Sequence, residues 1–168
     1  MKDFPSDKND TRKVQIRAAG GIVWREGMNS SEPEFLLLLH KHGHYWSFPK
    51  GRRNKGETDL ETARREIREE TGIDEFTLLE KGGKLISNSV RYFVRRGGSL
   101  IPKEVRYFLV KFSKRVEVNL SREHIAYKWL KFDDAIANLS HDNSKELLTK
   151  VYSSFSDIYI DEDEEFNF

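Results

Sequence analysis

Apolar positions along the chain fall in short blocks divided by glycine, proline and charged turns, with helical spacing in only three places. From Val14, the stretch VQIRAAGGIVWR reads as a strand interrupted at Gly20-Gly21, where either a bulge or a close backbone approach is expected. A turn-rich loop from Gly27 to Pro33 follows. Phe35 to Leu39 is a continuous apolar run, too short for a helix, and reads as a strand buried on both faces. Phe76 to Val94 supplies further strand material, FTLLEKGGKLI and SVRYFV, broken at Gly82-Gly83. Arg95 to Gly98 is a basic turn, and VRYFLVKF at 105–112 alternates as another strand. LSREHIAYKWL at 120–130 leads into a short strand expected at 127–131. Toward the end, Asp133 is expected to cap DDAIANL. Asn143 is expected to cap SKELLTKVYSSF, with Leu147, Leu148 and Val151 as its apolar stripe. The order of elements predicts a mixed sheet with helices on both faces. A loose arm (1–13), one domain (14–156) and an acidic tail (157–168) complete the expected organisation.

The third helical stretch lies between these strands. Thr58 followed by Glu61 is a capping-box signature, and Gly72 can end a helix in the left-handed conformation. At about 100° per residue, Leu60, Ala63 and Ile67 share one apolar face. Glu66, Glu69 and Glu70 form an arc at its edge, whereas Glu61, Arg64, Arg65 and Arg68 are expected to face solvent. Like charges at this spacing repel by about 0.2–0.5 kcal/mol even when exposed. A hard divalent cation with a preference for oxygen, Mg²⁺ or Mn²⁺, offsets that repulsion. Most charge-rich helices are solvated faces laced with ion pairs; here the acids adjoin the apolar stripe instead of opposing it.

Composition narrows the chemistry. The chain has 168 residues, enough for one domain with a real core, and no cysteine. Disulfides, zinc-thiolate sites and thiol nucleophiles are therefore excluded. No apolar run is long enough for a signal peptide or a membrane span, so cytoplasmic residence without a membrane partner is expected. The net charge of +1 hides an asymmetry: residues 157–168 hold six acids and no base, leaving 29 bases against 22 acids elsewhere. A basic body suits a polyphosphate or nucleic acid partner. The acidic tail is expected either to be a solubilising tail without effect or to lie part of the time on Arg52, Arg53 and Lys55 and compete with polyphosphate. The alternating His40, His42 and His44 allow a zinc site, but no fourth soft ligand accompanies them.

From Gly51 to Ile73 the spacing of Gly51, Glu57, Arg65-Glu66, Glu69-Glu70 and Gly72 fixes seven residue types. At about 7% each, a chance match arises on the order of 10⁻⁸ times per starting position. This string matches the signature of the Nudix hydrolases, which the chain resembles. HYWSFPKG at 44–51 and LSREHIAYKWL at 120–130 further resemble the asymmetrical diadenosine tetraphosphate hydrolases of that family. The resemblance implies an α/β/α sandwich, a Mg²⁺ cofactor that Mn²⁺ can replace, and a nucleotide polyphosphate substrate. A monomer with no stable nucleic acid partner is expected. By the same resemblance, Glu66, Glu69, Glu70, Glu123 and the Lys50 carbonyl hold the metal. Glu57 and Arg65 brace the loop, and Glu66 or Glu123 is the base. His44, Lys50 and Arg52 would meet phosphates, while Tyr127, with Tyr92 as partner, would stack on adenine. Arg52 departs from the branch, which commonly has His there. Trp46 and Trp129 are expected in the core, and His124 could be structural. Other Nudix specificities remain open, namely a nucleoside triphosphate, a diphosphoinositol polyphosphate or capped RNA. A non-catalytic nucleotide- or RNA-binding module is the alternative from another class.

Overall fold

The structure, a computed structural model, describes residues 13–155; the arm before Lys13 and the acidic tail lie outside the described residues. Ten strands and three helices follow one another along them. β1 (Ile16–Arg25), β2 (Glu34–His40), β3 (Trp46–Ser47) and β4 (Lys50–Arg52) precede α1 (Asp59–Thr71). β5 (Thr77–Leu78), β6 (Glu80–Lys81), β7 (Lys84–Leu85), β8 (Ser87–Arg96), β9 (Ser99–Lys111) and β10 (His124–Leu130) come next. α2 (Phe132–Asn138) and α3 (Asp142–Ser153) close the described chain. The main sheet runs β10-β2-β1-β9-β5, with β3 on β2, β4 on β1 and β8 on β9. β1 and β9 are parallel and the other pairs antiparallel, so the sheet is mixed as expected.

The run at 35–39 is apolar throughout because its two faces meet two cores. Phe35 and Leu37 join Trp24, Val105, Tyr107 and Leu109 beneath Ala135 of α2, Leu139 at its C-cap, and Leu147, Leu148 and Val151 of α3. Leu36 and Leu38 join Val23, Val110 and Phe112 beneath Ala63 and Ile67 of α1. Helices thus cover both faces. Trp46 packs on the first core and Trp129 on the second. Among the described residues no helix is long and apolar enough to cross a membrane.

α1 starts and stops where its sequence dictates. Thr58 accepts from the Glu61 N–H, and Glu61 accepts from the Thr58 N–H at 2.7 Å, closing the capping box. Gly72 ends the helix at φ 73°, its N–H returning to the Arg68 carbonyl. Thr58→Ala should cost about 1 kcal/mol and lower Tm by roughly 2–4 °C, read by thermal melting with Thr58→Ser as the near-neutral control.

Several boundaries differ from expectation. β1 passes through Gly20-Gly21 with its pairing to β9 unbroken, so the close approach is realised and the interruption is not. The strand expected at 105–112 begins earlier, at Ser99, because β8 pairs with it as far as Arg96. β10 occupies His124–Leu130 instead of 127–131 and carries a register shift between His124 and Ala126. Neither Asp133 nor Asn143 is a cap: the caps are Lys131 and His141, without side-chain capping bonds. Aromatic packing fixes those starts instead, with Phe132 stacked on Tyr152 at 4.0 Å and His141 against Tyr45 at 5.4 Å.

Candidate active site

The site forms where the loop from β4 to α1 folds back over the helix. Arg65, expected to face solvent, is its hub, because residues 52–57 lie across it. Its Nε donates to Glu57 Oε1 at 2.6 Å and its Nη2 to Glu57 Oε2 at 3.0 Å, a two-pronged pair. Nη2 also donates to the Arg52 carbonyl at 2.9 Å, while Nη1 reaches Glu66 at 2.8 Å and Glu69 at 3.2 Å. Glu57 further accepts from the Asn54 N–H and the Thr62 hydroxyl. The Arg65 hydrogen bonds, followed by the Asn54 N–H, hold the Glu57 carboxyl down at about 2, so it stays ionised as a brace.

The carboxylate arc faces a cavity of about 340 Å³ lined by Gly51, Arg52, Asn54, Glu66, Glu69, Glu70, Ser121 and Glu123. Glu70 is only 3% exposed and accepts the Lys50 N–H at 3.1 Å. Burial, and then the charge of Glu66, push its carboxyl up to about 8. Burial also raises Glu66, against the pull of Arg65. Glu69 is the exposed member of the arc, and Glu123 enters from the start of the β10 segment. Gly51 permits this crowding: a Cβ there would stand 2.0–2.1 Å from the Glu66 carboxyl atoms.

The four expected metal-ligating carboxylates therefore line one cavity. They are not drawn around a common point: among the described residues no three acidic or imidazole groups form a ready metal cluster. Arg65 holds Glu66 and Glu69, and the Lys50 N–H holds Glu70. The donor set is nevertheless all oxygen, and Glu66 and Glu123 set two like charges against the buried Glu70 carboxyl. Those two properties fit a hard divalent cation.

Positive groups stand beside the cavity. Lys50 comes from β4, and burial lowers its ammonium pKa while Glu70 and Glu66 raise it. Lys103, on β9, was not singled out in the sequence. Burial and then Lys50, Arg52 and Arg96 bring its ammonium down to about 8. Its signal was the alternation Lys103, Val105, Tyr107, which turns the lysine to the same face as two core residues. His44 stands exposed in its turn at φ 48° and is not among the residues lining the cavity. His40 packs on Tyr45 at 4.7 Å and His124 at 4.9 Å, and the Lys41 N–H binds the Glu123 carbonyl at 2.7 Å. Burial holds His124 down at about 4, with His40 the next cause; it props the strand that carries Glu123.

Tyr92 and Tyr127 are not brought together as expected. Tyr127 pairs with Leu38, which faces the core under α1. Tyr92 pairs with Lys103 and packs on the opposite core. β2, β1 and β9 separate their strands. Tyr127 is 41% exposed and open to a partner, whereas Tyr92 is half-buried and its phenol is pushed up to about 12 by burial.

Known proteins agree with this architecture. The NUDIX domain profile matches residues 14–151. The asymmetrical bis(5'-nucleosyl)-tetraphosphatase of Mus musculus is 41% identical over 129 residues, covering 73% of this chain and 83% of that protein. The enzyme of the same name from Rattus norvegicus is 38% identical, covering 80% of this chain and 92% of that one. The crystal structure of a C. elegans Ap4A hydrolase binary complex superposes with a TM-score of 0.72 at 31% identity, covering 84% of this chain and 98% of that one. With a matching profile over most of its length and relatives at this identity, the chain belongs to the NUDIX family.

Proposed function

We propose that the protein is a metal-dependent hydrolase of dinucleoside polyphosphates, cleaving diadenosine tetraphosphate to ATP and AMP as a cytoplasmic monomer. One observation carries the reading: Gly51 and Arg52 line the carboxylate cavity, and Lys50 beside them interacts both with Glu70 and Glu66 and with Lys103. That arrangement suits a phosphate chain whose reacting end lies in the cavity. The names of the relatives point to the same substrate.

Glu66, Glu69, Glu70, Glu123 and the Lys50 carbonyl would hold Mg²⁺ or Mn²⁺. When bound, the metal neutralises charge on phosphate oxygens and lowers the pKa of water. The chain's own residues do the rest. Glu66, raised by burial, accepts the proton of the attacking water, with Glu123 the second candidate. Lys50, Arg52 and Lys103 receive phosphate oxygens, with His44, exposed on its turn, a further phosphate contact. Arg65 and Glu57 act indirectly, by fixing Glu66 and the loop. Because the two tyrosines stand on different faces, they do not sandwich one base: exposed Tyr127 is available to a base, and half-buried Tyr92 lines the ribbon beside Lys103.

Tyr127→Ala should weaken adenine-containing substrates by about 1–3 kcal/mol, the size of one base–aromatic stack. Tyr127→Phe and Tyr127→Trp should stay near wild type. Equal damage from Phe and Ala in KM measurements would assign the effect to the hydroxyl. Chromatographic product analysis with Mg²⁺ tests the whole reading, across dinucleoside polyphosphates, nucleoside triphosphates, capped RNA and diphosphoinositols. Preferred turnover of either of the last two classes would overturn it.

A further inference from the structure

The β8–β9 hairpin outruns the sheet that supports it. β1 pairs with β9 only as far as Lys103, whereas β8 stays paired from there out to Arg96 opposite Ser99. A two-residue turn, Gly97-Gly98, closes the projection at φ 52° and 82°, a conformation that keeps the twist of both strands. The Arg95 guanidinium ties the turn by donating to the Gly98 carbonyl at 3.1 Å. Register therefore holds to the tip, and with it the side of the ribbon on which each residue stands.

That register places Tyr92 with Lys103, Val94 with Ile101, and Arg96 with Ser99 on one face. Arg95 and Leu100 fall on the other. At the inner end, the Lys103 ammonium lies 5.7 Å from the Tyr92 ring centroid. Lys50 and Arg52 of β4 and Arg96 of the tip all act on it as like charges, and none of its perturbing neighbours is an acid. Four cations from three strands thus converge with no carboxylate among the charges acting at their centre. Arg96 is the outermost, its strand position about 13 Å along the ribbon from Lys103.

We propose that Arg96 is a specificity residue that reads the length of the polyphosphate bridge. A short bridge seated in the carboxylate cavity ends near Lys50 and Lys103. A longer bridge continues along the ribbon face and gives a phosphate to the Arg96 guanidinium. This inference rests on the dinucleoside polyphosphate reading given above.

The test is kcat and KM for dinucleoside polyphosphates with three to six phosphates, on wild type, Arg96→Ala, Arg96→Lys and, from the opposite face and away from the turn, Arg91→Ala. Arg96→Ala should raise KM about tenfold for the longest bridges, the size of one charge-assisted contact, and leave the shortest within about twofold. kcat should hold, Arg96→Lys should recover most of the loss, and Arg91→Ala should leave the length profile unchanged. An Arg96→Ala profile parallel to wild type, or the same change from Arg91→Ala, overturns the assignment while the hydrolase reading stands. A wild type that turns over none of the series overturns both.

Discussion

Glu70→Gln should lower kcat by about 10²–10³, comparable to removing one key electrostatic group, while making the metal-free protein more stable. The two effects share one cause. Glu70 is 3% exposed, beside Glu66, and its carboxyl is pushed up to about 8 from an ordinary value of 4.5. An acid whose native pKa is raised contributes most to stability when protonated, below 4.5, and that contribution is lost as pH rises through 8. Over that window the one carboxyl is worth on the order of a few kcal/mol. Glutamine keeps an oxygen for the Lys50 N–H and carries no charge. Without divalent cations, variant and wild type should therefore melt together in acid. Their Tm values should separate by several degrees as pH rises, the variant being higher. Turnover near wild type at saturating Mg²⁺ would remove Glu70 from the site; a pH-independent Tm difference would remove the burial argument.

Gly20→Ala should be the most destabilising single-methyl change in β1, costing at least about 3 kcal/mol, at the upper end for overpacking. Its Cβ would stand 2.0 Å from the Pro49 carbonyl oxygen and 2.7 Å from Lys50 Cα. These are backbone atoms at the entry to the strand that delivers the site lysine, and the Gly21 N–H donates to the same Pro49 carbonyl at 3.0 Å. Nothing there can rotate away. Gly56→Ala is the contrasting control: its Cβ meets nothing within 4 Å, and only its φ of 84° opposes the change. Chemical denaturation of both variants measures the difference; equal losses would show that backbone conformation, not the close approach, sets the cost.

What could be read from the sequence was what is decided locally. α1 has both of its ends written into Thr58, Glu61 and Gly72. Phe35 to Leu38 of the apolar run had to serve two cores because an alternating strand serves only one. The arc of Glu66, Glu69 and Glu70 followed from helical geometry, and the structure does set it on one cavity. Helical geometry alone turns Arg65 to solvent because a helical wheel contains no loop; residues 52–57 convert that outward face into the centre of a hydrogen-bond network, the bracing place that the family resemblance implied. Lys103 escaped because its neighbours Lys50 and Arg52 are far off along the chain and meet it only through the sheet. Asp133 and Asn143 have the chemistry of caps, but ring packing by Phe132 and His141 began those helices earlier. Tyr92 and Tyr127 could be paired on paper because a sequence does not reveal which face of a sheet a residue occupies. The register alone settles that.

The far end of α3 sets a limit on how this domain can be cut and joined. Helix geometry stops at Ser153, yet Phe155 beyond it is only 4% exposed, 4.8 Å from Trp24 and 6.0 Å from Phe35 between ring centroids. Among the described residues the core is therefore closed by a buried ring and not by the last helical turn. A chain trimmed at Ser153 would leave a phenyl-sized void against Trp24, on the order of 3–5 kcal/mol by the usual cost of deleting such a side chain. A fusion joined after Phe155 would leave that core intact.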